Sequence, residues 1–383
     1  MAKIKVLWII TGGLRRNGIC VSQLEYAKRI NKKRFVLDVA AVHNNSSEII
    51  AEYETAGCRV IVLPDRREKT IKYKRALKEI IKTEKYDVVH TFGSSSLMGI
   101  ELSIAKKCGV KLRIAHSRNT TCDRKLLEKI LRIKFNRTYN FALSCGKEAG
   151  DWLFDDKKYI ILHNGKDLNR YSFNEKTRNL IRKKYNIENK LAFAHVGNFN
   201  NQKNHNFLID IFNELHKKNK DTVLFLMGSG EKEIEIKNKV SKLGLNDSVY
   251  FLGSINNVED VIQGMDIMLL PSLYEGLPNV VIEWQASGLP CVLSNKITKE
   301  CKVSDLVYFV AIDKGIEEWL KCIEKIDISK YNRIEESINS CKKLIENGFD
   351  INSNTKKLEE LYKKNIWKDW KWWLNGFSNY TCV

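Results

Sequence analysis

Two glutamates, Glu275 and Glu283, lie on either side of a glycine- and proline-rich loop. A short apolar run over 267–270 predicts a buried strand before the loop, and a proline suited to a first helical position predicts a helix over 278–288 after it. The free amides at the start of that helix, with the flexible loop at Gly276, form a suitable diphosphate site. The two carboxylates could accept hydroxyl hydrogens on either side of the diphosphate, an arrangement that suits a sugar nucleotide. On their own, however, two glutamates at this spacing are more often solvated helix charges.

Parallel strands must position this loop, because short apolar runs alternate with helical stretches along the chain. The first series of predicted strands covers 6–10, 37–42, 60–63, 88–91, 112–115, 141–144 and 160–162, and the second covers 191–196, 222–227, 249–252, 267–270, 291–294 and 307–310. This alternation predicts an α/β fold with two Rossmann-like, doubly wound domains facing a cleft. Since ligands bind such sheets at the carboxyl ends of their strands, we expect the site in the cleft.

The predicted elements divide the chain into three segments. Residues 1–165 form a basic N-terminal domain, 166–350 a C-terminal domain, and 351–383 a terminal helix with a Trp-rich tail, with a hinge expected near 163–171. Tryptophan and tyrosine beside lysine in the tail are typical of a membrane interface. A terminal helix that docks its aromatic side chains onto the protein body explains the tail equally well.

The charge of this 383-residue chain lies mainly in its first part. The net charge is +19, and residues 1–162 hold 33 Lys and Arg against 17 Asp and Glu, whereas the remainder is nearly balanced. Such a domain attracts phosphates, whether in nucleic acid, anionic lipid or a pyrophosphate-linked substrate. A solvated surface explains any single lysine-rich stretch more simply, but not the whole domain, because acidic residues do not offset the basic ones there. No helix-turn-helix, RNP or zinc-finger pattern is present, so no nucleic-acid partner is expected.

A basic amphipathic helix is predicted over 123–140. Apolar residues alternate there with Arg124, Lys125, Lys129, Arg132 and Lys134. This pattern is typical of helices that lie on anionic membrane surfaces. An ordinary core-packed helix with a charged outer face fits the same pattern.

Several classes of protein are disfavoured. The longest apolar runs are far shorter than the roughly 20 residues of a membrane span. The ten cysteines form no Cys-x-x-Cys pair and no Cys/His metal spacing, which predicts reduced thiols in the cytosol. Secreted, membrane-spanning and zinc-finger classes are therefore not expected.

The chain resembles glycosyltransferase family 4 over nearly its whole length. Glu275 and Glu283 form the Glu-x7-Glu signature of that family, within an intact Tyr-Glu-Gly-Leu-Pro pattern. Further similar segments are 164–167, which is similar to the family hinge, 196–205, which is similar to its phosphate-contacting segment, and the nucleotide-side loops 227–231 and 251–253. The strongest similarity is to enzymes of capsular and exopolysaccharide synthesis. The resemblance implies the GT-B fold and retaining transfer of a hexosyl or N-acetylhexosaminyl group.

The resemblance also implies roles for individual residues. Lys203 would hold the diphosphate and stabilise charge on the leaving nucleotide, an electrostatic role suited to an ammonium. Glu283 would bind the ribose, and Glu275 the hydroxyls of the transferred sugar. The candidate catalytic residues are Lys203, Glu275 and His116. The other candidate donor-binding residues are Gly12, Gly13, Asn198, Gly228, Leu252, Gly276, Leu277 and Pro278.

Two departures from the family pattern concern charged positions. Asn198 stands where the family usually has arginine, and a neutral hydrogen bond is weaker than a charge-assisted one. Either Lys203 and the loop amides suffice, with help from Arg15 or Arg16, or donor handling is impaired. The family often reads His-Ser-His-Asn where this chain has His116 followed by Arg118; we select His116 as the catalytic candidate, although histidines at strand ends, such as His116 and His90, are commonly structural.

The resemblance also implies a donor, an acceptor and the place where the enzyme acts. The donor would be a nucleotide-diphosphate sugar, with uridine favoured, and the acceptor a saccharide on an isoprenoid pyrophosphate at the cytoplasmic leaflet, with the enzyme peripheral to the membrane. No Asp-x-Asp sequence occurs, so we expect no metal or cofactor and a same-face substitution. Two alternatives remain open: a non-catalytic GT-B partner subunit that assists another glycosyltransferase, and a sugar-nucleotide epimerase of the same fold.

Overall fold

The computed structural model describes residues 2–16, 18–43, 45–119, 125–155 and 157–366, without the side chains of 125–127 and 129. The chain forms two compact units, of which one comprises Met1–Lys166 with Gly348–Val383 and the other Asp167–Asn347. The sequence divided the chain after residues 165 and 350. The Trp-rich tail predicted over 367–383 lies outside the described residues.

The first unit contains a seven-stranded parallel sheet in the order β3-β2-β1-β4-β5-β6-β7. Its strands are β1 (Ile4–Ile10), β2 (Phe35–Ala41), β3 (Arg59–Val62), β4 (Val88–Gly93), β5 (Leu112–Ser117), β6 (Phe141–Ser144) and β7 (Ile160–Ile161). Its first six helices are α1 (Gly18–Arg29), α2 (Ser47–Thr55), α3 (Thr70–Glu84), α4 (Gly99–Lys107), α5 (Lys125–Phe135) and α6 (Lys147–Phe154).

The second unit contains a six-stranded parallel sheet in the order β10-β9-β8-β11-β12-β13. Its strands are β8 (Leu191–Val196), β9 (Thr222–Met227), β10 (Val249–Gly253), β11 (Ile267–Leu270), β12 (Cys291–Ser294) and β13 (Val307–Val310). Its helices are α7 (Leu168–Tyr171), α8 (Glu175–Lys184), α9 (His205–Lys218), α10 (Glu233–Lys242), α11 (Val258–Val261), α12 (Asn279–Ala286), α13 (Ile316–Glu324) and α14 (Arg333–Glu346). The prediction of two Rossmann-like parallel sheets is confirmed.

Apolar packing on both faces of each sheet explains why the strands read as continuous apolar runs. In β1, Trp8 belongs to one hydrophobic cluster and Ile9 to the cluster on the opposite face. In β8, Ala194 and Phe193 are divided in the same way. All thirteen predicted strands are present, with boundaries within two residues of those expected.

The last described helix, α15 (Ile351–Ile366), packs on the first unit although it follows the second in sequence. Ile351, Leu358 and Tyr362 are buried in the same hydrophobic cluster as Trp8. The indole Nε1 of Trp8 donates a hydrogen bond of 2.9 Å to the Tyr362 hydroxyl. This helix therefore completes the core of the N-terminal unit.

Three local predictions need correction. The helix predicted over 278–288 is shorter, because Pro278 is extended (φ −75°, ψ 109°) and Gly288 adopts a left-handed φ of +64° that ends the helix. His116, predicted to follow a strand, lies within β5, because that strand continues two residues beyond its apolar run. His90, also described as following a strand, lies within β4 and already falls inside the predicted range 88–91. The helix predicted over 123–140 is described over Lys125–Phe135. Among the described helices, none combines the length and the hydropathy that crossing a bilayer requires.

Candidate active site

In the second unit, the predicted donor-binding residues follow neighbouring parallel strands at the carboxyl edge of the sheet. Asn198 and Lys203 follow β8, Gly228 follows β9, and the loop 271–278 follows β11. The loops after β8 and β11 are joined by backbone and side-chain hydrogen bonds. Leu273 N donates to Gln202 O (2.8 Å), and Gln202 Nε2 donates to the carbonyl of Tyr274 (3.0 Å). These bonds hold the segment around Lys203 against the segment around Glu275.

Lys203 and Glu275 form an ion pair between these two loops. Their side chains are only 15% and 10% exposed, so the pair is largely removed from water. The second contact of the carboxylate comes from Ser272, whose Oγ donates to Glu275 Oε1 at 2.9 Å. The lysine backbone is fixed as well, because Lys203 N donates to Asn200 Oδ1 (3.0 Å). The sequence predicted both residues at the site but not that they pair.

Close approach of two loops explains the glycines beside this ion pair. Gly228 has a φ of +144°, and a Cβ atom there would lie 2.1 Å from the carbonyl oxygen of Gly197. At Gly197, a Cβ atom would meet both His195 Nε2 (2.8 Å) and the Lys203 side chain (3.1 Å). The absence of side chains therefore lets the main chain pack directly against the lysine, as a phosphate-binding loop requires.

Glu283 is the fifth of the eight residues of α12 and is 8% exposed. It interacts with Tyr171, whose pKa is raised first by burial and then by the Glu283 carboxylate. Tyr171 was not among the predicted site residues, because it lies more than 100 positions earlier in the sequence. The carboxylate is thus held beside a phenol in a region of low solvent exposure.

The remaining donor-side candidates differ in their surroundings. A Cβ atom on Gly276 would meet nothing within 4 Å, so the loop 271–278 borders open space at this residue. Asn198, which replaces the family arginine, is exposed. Leu252 packs at the edge of the hydrophobic core, and the next residue, Gly253, accepts a hydrogen bond of 2.8 Å from Gly228 N.

Two buried histidines beneath Lys203 were missed by the sequence analysis. His195 lies near the end of β8 and is 0% exposed, and its Nδ1 contacts the carbonyl of Leu269 at 2.8 Å. His205 begins α9, lies 2% exposed, and stacks on Phe199 with ring centroids 4.1 Å apart. Burial first, and then the Lys203 charge, lowers the pKa of His205 to about 4. Both rings are therefore neutral, which avoids placing further positive charge under the lysine.

In the first unit, Gly12 and Gly13 form the turn after β1, as predicted. Gly13 has a φ of +83°, and its N–H donates to Ile10 O at 3.0 Å. The neighbouring β4 ends close by, since a Cβ atom on Gly93 would lie 2.5 Å from Thr11 Oγ1. The tight turn alone requires glycine at position 13.

His116 is 1% exposed, and both of its ring nitrogens contact other side chains. Nδ1 lies 3.1 Å from His90 Nε2, and Nε2 lies 3.3 Å from Arg118 Nη1. Burial, followed by the charge of Arg118, holds the pKa of His116 well below its usual range. In this arrangement the more exposed group is Arg118 (8%), which the sequence analysis did not select.

The predicted membrane-facing cations on α5 are only partly described. Arg124 and the side chains of Lys125 and Lys129 lie outside the described residues. Arg132 forms an ion pair with Asp155 (2.5 Å), whereas Lys134 is exposed. Ile130 and Ile133 on this helix are 73% and 68% exposed. Arg16, suggested as a phosphate contact, instead pairs with Glu48 and Glu52.

Within the described parts of the chain, no cluster of three or more His, Cys, Asp or Glu side chains has the geometry to hold a metal ion.

Comparisons with known proteins agree with this geometry. Residues 177–349 match the family model "Glycosyl transferases group 1". The chain is 26% identical to the UDP-Gal:alpha-D-GlcNAc-diphosphoundecaprenol alpha-1,3-galactosyltransferase of Escherichia coli, over 75% of this chain and 78% of that protein. It is also 26% identical to the capsular polysaccharide biosynthesis glycosyltransferase CapH of Staphylococcus aureus, over 94% and 98% of the two chains.

The fold is that of solved GT-B glycosyltransferases. Anabaena HepE, whose crystal structure is a complex with UDP, superposes with a TM-score of 0.76 at 13% identity over 94% of this chain and 100% of that one. The two parallel sheets therefore have the GT-B fold. The match of residues 177–349 to the group 1 glycosyltransferase model, together with the two relatives, confirms the resemblance seen in the sequence.

Proposed function

We propose that this chain transfers a hexosyl or N-acetylhexosaminyl group from a UDP-sugar to a lipid-linked saccharide during synthesis of a surface polysaccharide, with retention of configuration. The observation that carries the proposal is the buried Lys203–Glu275 pair beside the close-packed glycine loops. A diphosphate can replace Glu275 as the partner of the ammonium, and sugar hydroxyls can replace Lys203 as the partner of the carboxylate. Glu283 then binds the ribose at the other end of the donor.

The choice of donor is supported from two sides. HepE was solved with UDP, and the E. coli relative is named for UDP-Gal as its donor. In this chain the glycines at 197 and 228 admit the main chain close to Lys203, where a diphosphate needs amide donors. Asn198 supplies a neutral contact in place of an arginine, so Lys203 is the principal cation for the diphosphate in this unit.

The proposed reaction proceeds on one face of the sugar. The bond between the anomeric carbon and the diphosphate oxygen breaks as the acceptor hydroxyl oxygen bonds to the same face of that carbon. The hydroxyl proton passes to the departing phosphate oxygen. Lys203 and the amides of Gly276 and Leu277 stabilise the negative charge on the leaving group. Because these groups do this work, activity is expected to survive complete chelation of divalent ions, whereas strict dependence on a metal would refute the mechanism.

The proposed acceptor is a saccharide on an isoprenoid pyrophosphate, bound by the basic N-terminal unit at the inner face of the membrane. The E. coli relative is named for such a diphosphoundecaprenol acceptor, and CapH is named for capsule synthesis. On α5, exposed Ile130 and Ile133 stand beside exposed Lys134, a combination that suits an anionic lipid surface.

A thermal-shift panel of UDP, GDP, ADP and CMP tests the donor site. A ligand at about 100 times its dissociation constant adds roughly 2.7 kcal/mol, or several degrees for a domain of this size. We expect a shift with UDP in the wild type and none in Glu283→Ala. Glu346→Ala, which removes an exposed glutamate from the same unit, is the matched control and should keep the shift. If no nucleotide stabilises the wild type, the proposal fails and a non-catalytic partner subunit becomes the better description.

A further inference from the structure

Among the described residues, one buried arginine of the first unit, Arg118, has no carboxylate partner. Arg118 follows β5 directly, and its backbone N–H donates to Gly93 O at 2.9 Å. Its guanidinium contacts only neutral acceptors: Nη1 lies 3.3 Å from His116 Nε2, and Nη2 donates to Asn164 Oδ1. With its amide turned to satisfy both neighbours, Gln23 also accepts from the two Nη atoms at 3.2 and 3.3 Å. The side chain is 8% exposed.

Among the described residues, no carboxylate lies within ion-pair distance of Arg118, and its buried Nε has no hydrogen-bond partner. Arg182, which is also 8% exposed, differs in this respect, because its guanidinium lies 3.1 Å from Asp266. A buried charge is costly unless it is paired, so the missing partner of Arg118 is the notable feature.

The groups behind Arg118 hold it without neutralising it. Because a guanidinium can only donate, His116 Nε2 must be an acceptor and its ring proton sits on Nδ1. His116 Nδ1–H donates a hydrogen bond to His90 Nε2 (3.1 Å), and His90 Nδ1–H donates one to the Tyr362 hydroxyl (2.7 Å). This chain of donors ends on α15, whose Tyr362 also accepts from Trp8. Both histidines are neutral, since burial and the Arg118 charge lower the pKa of each.

The position of Arg118 suits a ligand. It lies at the carboxyl end of β5, the edge at which parallel sheets bind ligands. Gly93, which accepts its backbone hydrogen bond, packs against Thr11 at the glycine turn after β1. In the same turn, a Cβ atom on Gly12 would meet nothing within 4 Å.

We infer that Arg118 is the anchor of a diphosphate-binding site in the N-terminal unit, with His116, His90 and Tyr362 as the positioning residues that hold its guanidinium. The inference builds on the proposed function, in which two substrates carry a diphosphate: the nucleotide donor and the lipid-linked acceptor. The shared group is what the arginine recognises, because a diphosphate supplies the negative charge that Arg118 lacks among the described residues.

The test uses the full-length Lys203→Gln variant as background, so that the cation of the second unit does not bind the probe. Inorganic pyrophosphate, UDP and farnesyl pyrophosphate are titrated calorimetrically into this variant, with and without Arg118→Gln. The matched control is Arg34→Gln, which removes an exposed arginine at the opposite, amino-terminal edge of the same sheet. We expect Arg118→Gln to weaken pyrophosphate at least about tenfold, Arg118→Lys to weaken it less, and Arg34→Gln to leave it unchanged.

The other two probes identify the source of the diphosphate. Beside the loss for pyrophosphate, a parallel loss for UDP assigns the site to the donor, and a loss for farnesyl pyrophosphate without one for UDP assigns it to the acceptor. Without ligand, Arg118→Gln should melt no lower than Arg34→Gln, because it removes an unpaired buried charge. The inference is wrong if the background protein binds none of the probes, or if Arg118→Gln lowers the melting temperature and leaves all three affinities intact. UDP binding that is unaffected by Glu283→Ala would instead refute the proposed function and leave this site standing.

Discussion

The ammonium of Lys203 is paired with the carboxylate of Glu275, and both charges lie in a largely buried position between the loops after β8 and β11. Each residue is proposed to bind a different part of the donor. In the absence of donor they satisfy one another, which limits the cost of holding two charges away from water. Donor binding must therefore exchange one buried ion pair for two new sets of contacts.

Glu275→Gln should separate donor binding from transfer. The change keeps the side-chain shape but frees Lys203 for the diphosphate, so UDP affinity should be unchanged or several-fold tighter. Turnover should fall by about a hundredfold or more, because the contact with the sugar hydroxyls is weakened near the reacting carbon. Calorimetry with UDP and a transfer assay measure the two effects, and Glu346→Gln is the control. Turnover close to that of the wild type would contradict the role of Glu275.

The ion pair should also be visible in unfolding. Lys203→Met leaves Glu275 buried without its partner and should destabilise the second unit by about 1–3 kcal/mol. Adding Glu275→Gln removes the orphaned charge, so the double variant should be more stable than the sum of the single changes predicts. Urea unfolding of the four proteins completes the cycle. Strict additivity would show that the two side chains do not interact in solution.

The sequence predicted the secondary-structure elements well but did not predict which side chains pair. The strands were found because parallel strands covered on both faces are continuous apolar runs, as in β1 and β8. The Lys203–Glu275 pair could not be read in the same way, because the residues are 72 positions apart and meet only where two loops are joined through Gln202. Local apolar patterning carries no information about that contact.

Strand ends gave the other errors, for the same reason. His116 and Ser117 are polar, so the apolar run stops before them, yet both lie in β5 because they pair with β4 and β6. Once His116 is inside the strand, its ring is enclosed by His90 and Arg118. The sequence showed which residues stand near the carboxyl edge but not which of them retain unsatisfied polar atoms.

The loop contact at Gly228 predicts a sharp difference between two glycine substitutions. Gly228→Ala combines a φ of +144° with a Cβ atom 2.1 Å from the carbonyl of Gly197 and should cost about 2 kcal/mol or more. Gly12→Ala, where a Cβ atom would meet nothing within 4 Å, should be nearly neutral for stability. Urea midpoints of the two variants make the comparison. Equal midpoints would mean that the loops after β8 and β9 are not in contact.

Membrane attachment through α5 depends on its exposed apolar side chains. The double change Ile130→Ser with Ile133→Ser removes both without disturbing Arg132, which is engaged with Asp155. Binding to vesicles containing anionic lipid should weaken about tenfold or more, since each buried isoleucine contributes substantially to partition. Ile234→Ser with Ile338→Ser, equally exposed residues of the second unit, is the control. Vesicle binding that is the same in both double variants would exclude α5 as the contact.

His205 should contribute to loss of stability in acid. Its pKa is about 4 in the folded protein and near 6.5 when exposed, so between these values the unfolded chain binds more protons. The free energy of unfolding should therefore fall as the pH drops from about 6.5 to 4, by a few kcal/mol at most from this group. His205→Gln should reduce the difference between unfolding free energies at pH 7.5 and pH 5. Phe199→Leu, which disturbs the stacked partner without changing a titrating group, should lower both values equally. If His205→Gln also lowers both values equally, the ring is already protonated in the folded protein at pH 5, and the statement that His205 is neutral beside Lys203 is wrong.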